Sequence, residues 1–179
     1  AWQAGLASEE RDRARAALRE SEEVTEFLLG LFRTSDPMET PGDTVTVLDL
    51  LHRGRSRADS LGAEPLVQAR LLQVMSQANQ NLGRYEEARD LAGEAVSVLE
   101  ARYGNEHHDL AGALAAYGAA LSTSGQYDSA RVVLQRAVDQ EIRWHGTEVL
   151  EMADIFETLG RVTIYLGDLS EAERLIQKA

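Results

Sequence analysis

The chain returns to the same short motif at a fixed interval. Residues 82–88 read LGRYEEA, residues 124–130 read SGQYDSA and residues 166–172 read LGDLSEA, each 42 residues after the last. A return of this length is the mark of one supersecondary unit stacked on copies of itself, since a single unit cannot bury its own apolar face. With 42 residues as the ruler, further columns fall into line. Ala69, Ala111 and Ala153 align, as do Leu72, Leu114 and Phe156. Met75, Tyr117 and Leu159 follow, then Ser76, Gly118 and Gly160. Beyond the motif, Ala88, Ala130 and Ala172 form a column, then Leu91, Val133 and Leu175, and Ala95, Ala137 and Ala179 close the series.

Each column has a physical reading. Within a repeat the apolar positions step by three and four, which is one face of a helix. Gly83, Gly125 and Gly167 can adopt the left-handed conformation that ends a helix, and a second helix then starts after a tight turn. Small residues at 76, 118 and 160, and at 88, 130 and 172, let two backbones approach closely. The unit is therefore a helical hairpin. Helices are expected near 66–82, 85–103, 108–124, 127–145, 149–166 and 169–179. The last of these stops in mid-pattern, and the expectation is that the array continues past Ala179.

Composition agrees with this reading and removes alternatives. Long stretches are rich in Ala, Leu, Glu, Arg and Gln, with only 3 Pro, which favours helix. The one candidate for a strand, TVTVL at 44–48, is short. Formal charge is −12, and no basic patch interrupts the acidic background, so nucleic acid is not an expected partner. The absence of cysteine excludes disulfides, thiolate catalysis and Cys-ligated zinc. No apolar run reaches the roughly 18–20 residues of a membrane span, and the segment itself is not expected to cross a bilayer.

The order of residue types (large, large–small, Gly, Tyr, small) resembles the tetratricopeptide repeat, and the 42-residue length resembles the long variety found in kinesin light chains. The resemblance covers residues 66–179 and implies an all-α helical-hairpin solenoid, a superhelix of three repeats at 66–104, 105–146 and 147–179, the last incomplete. Residues 1–65 do not follow the ruler. Residues 6–32 read as a long charged N-terminal helix with pairs such as Glu9–Arg13. Its end turns apolar at Val24, Phe27, Leu28, Leu31 and Phe32, and residues 1–33 are expected to form a stalk docking through that end. Residues 34–65 are expected to hold a loop and an irregular capping helix near 46–60, with Val47, Leu48, Leu51, Ala58 and Leu61 turned inward. A line at Ala17, Ser21, Val24, Leu28 and Leu31 offers a second use for the first helix, as a homodimer seam; a solvated stalk is the favoured reading.

The N-terminal stretch carries a second resemblance. The succession AWQA, ERDRARA and ESEEVTEFLLGLFRTSDPMETPGDTVTVLDLLHRG resembles the segment joining a transmembrane helix to the repeats in bacterial serine/threonine protein kinases with C-terminal tetratricopeptide repeats. It implies a membrane-anchored signalling parent, a periplasmic, extracytoplasmic sensor or docking domain, and Trp2 near the bilayer interface. The alternative is a cytoplasmic adaptor or regulator scaffold built on the same repeats without a kinase.

No catalytic motif is present: there is no glycine-rich phosphate loop, no His-Arg-Asp and no Asp-Phe-Gly. The segment is not expected to be an enzyme, and no cofactor or metal is assigned. The NEHHD cluster at 105–109 holds Glu106, His107, His108 and Asp109, but adjacent histidines lack the i,i+4 spacing of a helical zinc pair. It sits between repeats, and a structural loop is the favoured reading. Tyr85 and Tyr127 occupy packing positions. His52 and His145 are given no role.

The resemblance also places a protein or peptide ligand. In arrays of this kind the first helix of each hairpin lines a concave groove. Here that gives Arg70, Gln73, Gln77, Gln80 and Asn81 from the first repeat, and Ala115, Ala119, Ser122 and Thr123 from the second. The third gives Asp154, Glu157, Arg161, Ile164 and Tyr165. The face passes from amide-rich through small to charged, and amides can pair with a peptide backbone of any sequence. The Lys, Asn and Arg set that clamps a terminal carboxylate in chaperone-binding arrays is missing.

Overall fold

A computed structural model describes residues 47–62, 64–105, 107, 109–145 and 151–178. Seven helices and no strands occur among these residues: α1 (Val47–Ser60), α2 (Pro65–Asn81), α3 (Tyr85–Tyr103), α4 (Asp109–Thr123), α5 (Tyr127–His145), α6 (Glu151–Tyr165) and α7 (Leu169–Ile176). The fold is the expected all-α helical-repeat solenoid. The chain divides into two compact units at Gly62 and Ala63. The charged helix at 6–32, Trp2 and the loop at 33–43 lie outside the described residues. In the first unit α1 is the described element, and it meets the expectation of a helix near 46–60.

The second unit is built from hairpins, and one turn is used three times. Gly83, Gly125 and Gly167 have φ of +75°, +78° and +87°, a region that a side chain with a Cβ resists. The amide after each glycine reaches five residues back: Arg84 N to Asn79 O (2.9 Å), Gln126 N to Leu121 O (2.9 Å) and Asp168 N to Thr163 O (3.1 Å). The glycine amides themselves bond Gln80 O, Ser122 O and Ile164 O. This pair of bonds is the Schellman closure, which satisfies carbonyls that the helix end leaves over. The following helix then starts at once, at Tyr85, Tyr127 and Leu169.

Within each hairpin the small column sits where the two helices come nearest. Ser76 is buried and its hydroxyl donates to Ala88 O across the hairpin (2.7 Å). A Cβ added at Gly118 would meet Leu134 Cγ at 2.5 Å, and one at Gly160 would meet Ile176 Cγ1 at 2.8 Å. The opposing Ala88, Ala130 and Ala172 are buried. Leu71, Leu72, Leu99, Leu110, Leu114, Leu134 and Val162 fill the interior around these contacts.

The hairpins stack in order. α3 packs on α4 and α5 packs on α6, and the first helices α2, α4 and α6 also touch in succession. Among the described residues the second helices α3, α5 and α7 do not pack directly on one another. Long side chains span that gap: Arg136 Nη2 reaches Glu100 Oε1 at 2.6 Å. The first helices therefore lie on the tighter, inner side of the stack. The loop between the first two hairpins is pinned by Gln140, whose Nε2 donates to Asn105 O.

One boundary differs from the sequence expectation, while the helix start expected at 149 lies outside the described residues, which take up α6 at Glu151. α7 ends at Ile176, where Lys178 N turns to Leu175 O in a tighter i−3 bond instead of extending the helix to 179.

Candidate functional site

The inner side of the stack is surfaced by the residues of α2, α4 and α6 that the core does not need. Successive helices place register mates side by side along three short rows. Arg70, Gly112 and Asp154 form one row and are all exposed. Gln73, Ala115 and Glu157 form the next, half-buried on α2 and α4 and exposed on α6. Gln77, Ala119 and Arg161 form the third, with the alanine half-buried between two exposed polar side chains.

The middle helix is the low one. A Cβ added at Gly112 would meet nothing within 4 Å, so the space above it is open. Ala115 and Ala119 raise no side chain beyond Cβ. The taller flanks are held in place by short-range bonds along their own helices. On α2, Arg70 Nη1 lies 3.5 Å from Gln73 Oε1, and Gln77 Nε2 donates to Asn81 Oδ1 at 3.2 Å. On α6, Arg161 pairs with Glu157 at 3.6 Å and reaches Thr158 Oγ1 at 3.5 Å. These exposed i,i+3 and i,i+4 contacts bias rotamers while leaving each group able to exchange its partner for a ligand.

At the turn end, Tyr165 lies parallel to Tyr127, with ring centroids 4.5 Å apart and planes 8° from parallel. Tyr165 stays 61% exposed, so the stacked pair presents an aromatic plane at the end of the rows. The sequence expectation for Tyr127 is packing within its own hairpin. Its second role is visible in the register, because Tyr165 is the mate of Thr123, four residues before Tyr127. Tyr85, expected to pack, keeps 45% exposure at the first position of α3.

Not every expected residue is accessible. Ser122 is buried at 7% exposure, and its carbonyl accepts the Gly125 amide (3.1 Å). Ser122 therefore lies inside the stack and not on the solvent face. Gln80 is half-buried, while Asn81, Thr123 and Ile164 are exposed. Thr123 Oγ1 is occupied by Ala120 O at 3.0 Å.

Among the described residues no three His, Asp or Glu side chains gather at metal-binding distance. Glu106 and His108 of the NEHHD cluster lie outside the described residues. His107 stacks on Tyr103 (centroids 4.2 Å), and its Nδ1 accepts the Asp109 amide at 3.3 Å. That bond satisfies one of the open donors at the start of α4 and requires a lone pair on Nδ1. Asp109 Oδ2 lies 3.4 Å from the same nitrogen, a contact that becomes an ion pair only on protonation.

No helix among the described residues is long and apolar enough to cross a membrane. The rows of amide, small and charged side chains can hold and orient a ligand. No curated protein matches the chain. Residues 68–140, from α2 through most of α5, match the family model described as Tetratricopeptide repeat, and this stretch of stacked hairpins is a tetratricopeptide-repeat region.

Proposed function

We propose that the protein is a non-catalytic docking domain that holds an extended peptide segment of a protein partner along the inner face of α2, α4 and α6. The observation that carries this reading is the low Gly112–Ala115–Ala119 line between the polar flanks of Arg70, Gln73 and Gln77 on one side and Asp154, Glu157 and Arg161 on the other. Tetratricopeptide repeats generally mediate protein–protein interaction, and none of these side chains is needed to close the core. A bulky ligand side chain fits over the alanines, the amides of Gln73 and Gln77 bond its backbone, and the Tyr127–Tyr165 plane closes one end.

We further propose that this domain is the extracytoplasmic docking region of a membrane-anchored serine/threonine protein kinase. This reading is supported by the order of sequence features in residues 1–100, from the Arg/Glu/Ala-rich stretch through FLLGLF and SDP to the Thr-containing TVTVL and the repeats. Sequencing upstream of the Ala1 codon tests it. A span of about 20 apolar residues preceded by kinase motifs is the expected result; a start codon or an unrelated soluble domain would overturn it in favour of an adaptor.

The docking reading is tested separately. Peptides selected against the chain from a random library are titrated by calorimetry into the protein and into a Gln77→Ala, Arg161→Ala variant. The expected outcome is affinity weakened by roughly tenfold or more, as hot-spot loss gives, with stability changed by less than about 0.5 kcal/mol. Equal affinity for both proteins would overturn the assignment of the face.

A further inference from the structure

The trough on the inner face changes character along its length. On the α6 wall the exposed groups run from Asp154 through Glu157 and Arg161 to Tyr165. Arg161 Nη1 lies 3.6 Å from Glu157 Oε1, so the charges in the middle of that wall offset one another. Asp154 has no cationic partner among the described residues. Its register mate of opposite sign, Arg70, stands on α2, two helices away. Packed helices lie about 8–10 Å apart, which separates the two by about 16–20 Å and keeps them from pairing. Between them Gly112 is exposed, with nothing within 4 Å of an added Cβ. Ala115 and Ala119 lie further along, beside the offset pair. One end of the trough is therefore deep with an acidic wall, and its middle is shallow and electrically quiet.

We infer that the partner segment held in this trough carries a basic side chain over Gly112, turned to Asp154, and a bulky apolar side chain two positions away over Ala115 and Ala119. The inference rests on the docking reading and names the class of peptide that reading leaves open. The spacing comes from matching two rises. The point midway between Ala115 and Ala119 lies about five residues along α4 from Gly112, or about 7.5 Å. An extended chain covers about 6.6 Å in two residues, and residues two apart point to the same face. A spacing of three would turn the apolar group away from the alanines. The sign of the charge comes from the walls and from the whole chain. A cation over Gly112 gains Asp154 on the α6 wall and is repelled by Arg70 from the α2 wall. It also enters the field of a chain of formal charge −12, which draws basic partners in and opposes acidic ones. Arg70 is already in contact with Gln73, at 3.5 Å. Arg161 has its own part in this scheme: by offsetting Glu157 it spares the apolar side chain a lone charge to desolvate.

The test selects displayed random heptapeptides against the chain and against Asp154→Arg. The expected result is an excess of Lys and Arg two positions from Leu, Met, Phe or Trp on the chain, replaced by Asp and Glu at the same spacing on Asp154→Arg. The most enriched basic peptide is then titrated by calorimetry. Its affinity should fall by about threefold to fivefold in Asp154→Asn, as loss of an exposed ion pair gives, and should fall with added salt. Ala115→Gln places in the middle of the trough the residue that the register already carries at 73, and should abolish binding by filling the space. Peptides that Ala115→Gln abolishes but that show no basic excess at this spacing, or that bind Asp154→Asn as tightly as the parent chain, overturn the inference and leave the docking reading standing. Peptides indifferent to Ala115→Gln overturn both, as does a selection that yields no binder.

Discussion

Gly112 and Gly118 lie on the same helix, six residues apart, and the geometry assigns them opposite responses to the same substitution. At Gly112 an added Cβ meets nothing within 4 Å. Gly112→Ala therefore removes only the backbone entropy cost of glycine in a helix, a gain of up to about 1 kcal/mol. At Gly118 the added Cβ would stand 2.5 Å from Leu134 Cγ and 2.6 Å from Cδ2. Leu134 is 1% exposed, so its side chain gives way only by displacing other buried groups. The same propensity gain is then set against an overpacking cost of about 1–3 kcal/mol, and the net effect is destabilising by up to about 2 kcal/mol. The difference between the two variants isolates the close approach from helix propensity. Urea unfolding followed by circular dichroism measures both, with the slope checked for constancy. A companion cycle pairing Gly118→Ala with Leu134→Ala makes the assignment specific, because truncating the leucine opens the space that the added methyl group needs. The two changes should then couple by at least about 0.5 kcal/mol, in the direction of mutual relief. Equal effects at the two glycines, or strict additivity with Leu134→Ala, would refute the claim that the small column sets the hairpin spacing.

Other parts of the structure make their own predictions. Ala130 is fully buried at the opposing side of the same contact, so Ala130→Leu should cost about 1–3 kcal/mol in chemical denaturation. Gly125 holds φ at +78° in the second hairpin turn, and Gly125→Ala should cost about 1–2 kcal/mol through the left-handed penalty alone. Asp168 caps α7 by accepting the Glu171 amide (3.1 Å) and the Ser170 hydroxyl (2.9 Å), and these bonds hold its pKa below the ordinary 3.8. A depressed carboxylate contributes stability above its unfolded pKa and loses it as pH falls through the folded value. The Glu171 amide proton resonance should therefore titrate with a midpoint below 3.8, and Asp168→Ala should abolish that titration and fray α7 already at neutral pH. The Arg136–Glu100 pair spans two second helices that do not otherwise pack, yet both side chains are substantially exposed. A double-mutant cycle should give no more than about 1 kcal/mol, diminishing with added salt.

The hairpins were legible because packing chose their residues. At positions 83, 125 and 167 only a glycine closes the turn without strain, and at 118 and 160 only a glycine lets Leu134 and Ile176 approach. The turn glycine recurs at each copy of the unit, and the close-approach column stays small as Ser76, Gly118 and Gly160, so the period shows through even where neighbouring residues differ. Helix ends were legible to within two residues for the same reason, and the shortfall at α7 has a local cause. The last turn tightens at Lys178, whose amide bonds Leu175 O three residues back, and Lys178 Nζ sits over the Phe156 ring at 5.6 Å. Ile164 and Ile176 show the complementary case: their apolar character matches a covered position, and only the three-dimensional stack shows that the described residues leave them bare.

The inner face was legible as a set of positions and less so as a surface. Knowing the register places Arg70 beside Gly112 and Asp154, because stacked copies must align. It does not say how deep each position lies, and Ser122 shows the consequence: its column is polar in the first repeat and apolar in the third, and in the middle it is enclosed. Tyr127 errs in the other direction, since a residue chosen to pack one hairpin also offers its ring to Tyr165 of the next. Both departures arise where one hairpin meets its neighbour, which a pattern confined to a single repeat does not encode. The same boundary explains why the face is variable at all. Columns 73, 77 and 81 read Gln, Gln and Asn, then Ala, Ala and Thr, then Glu, Arg and Tyr, while Ala88, Ala130 and Ala172 never change. A stack that tolerates any residue in the first set and one residue in the second separates the side chains that build it from those that are free to meet a partner.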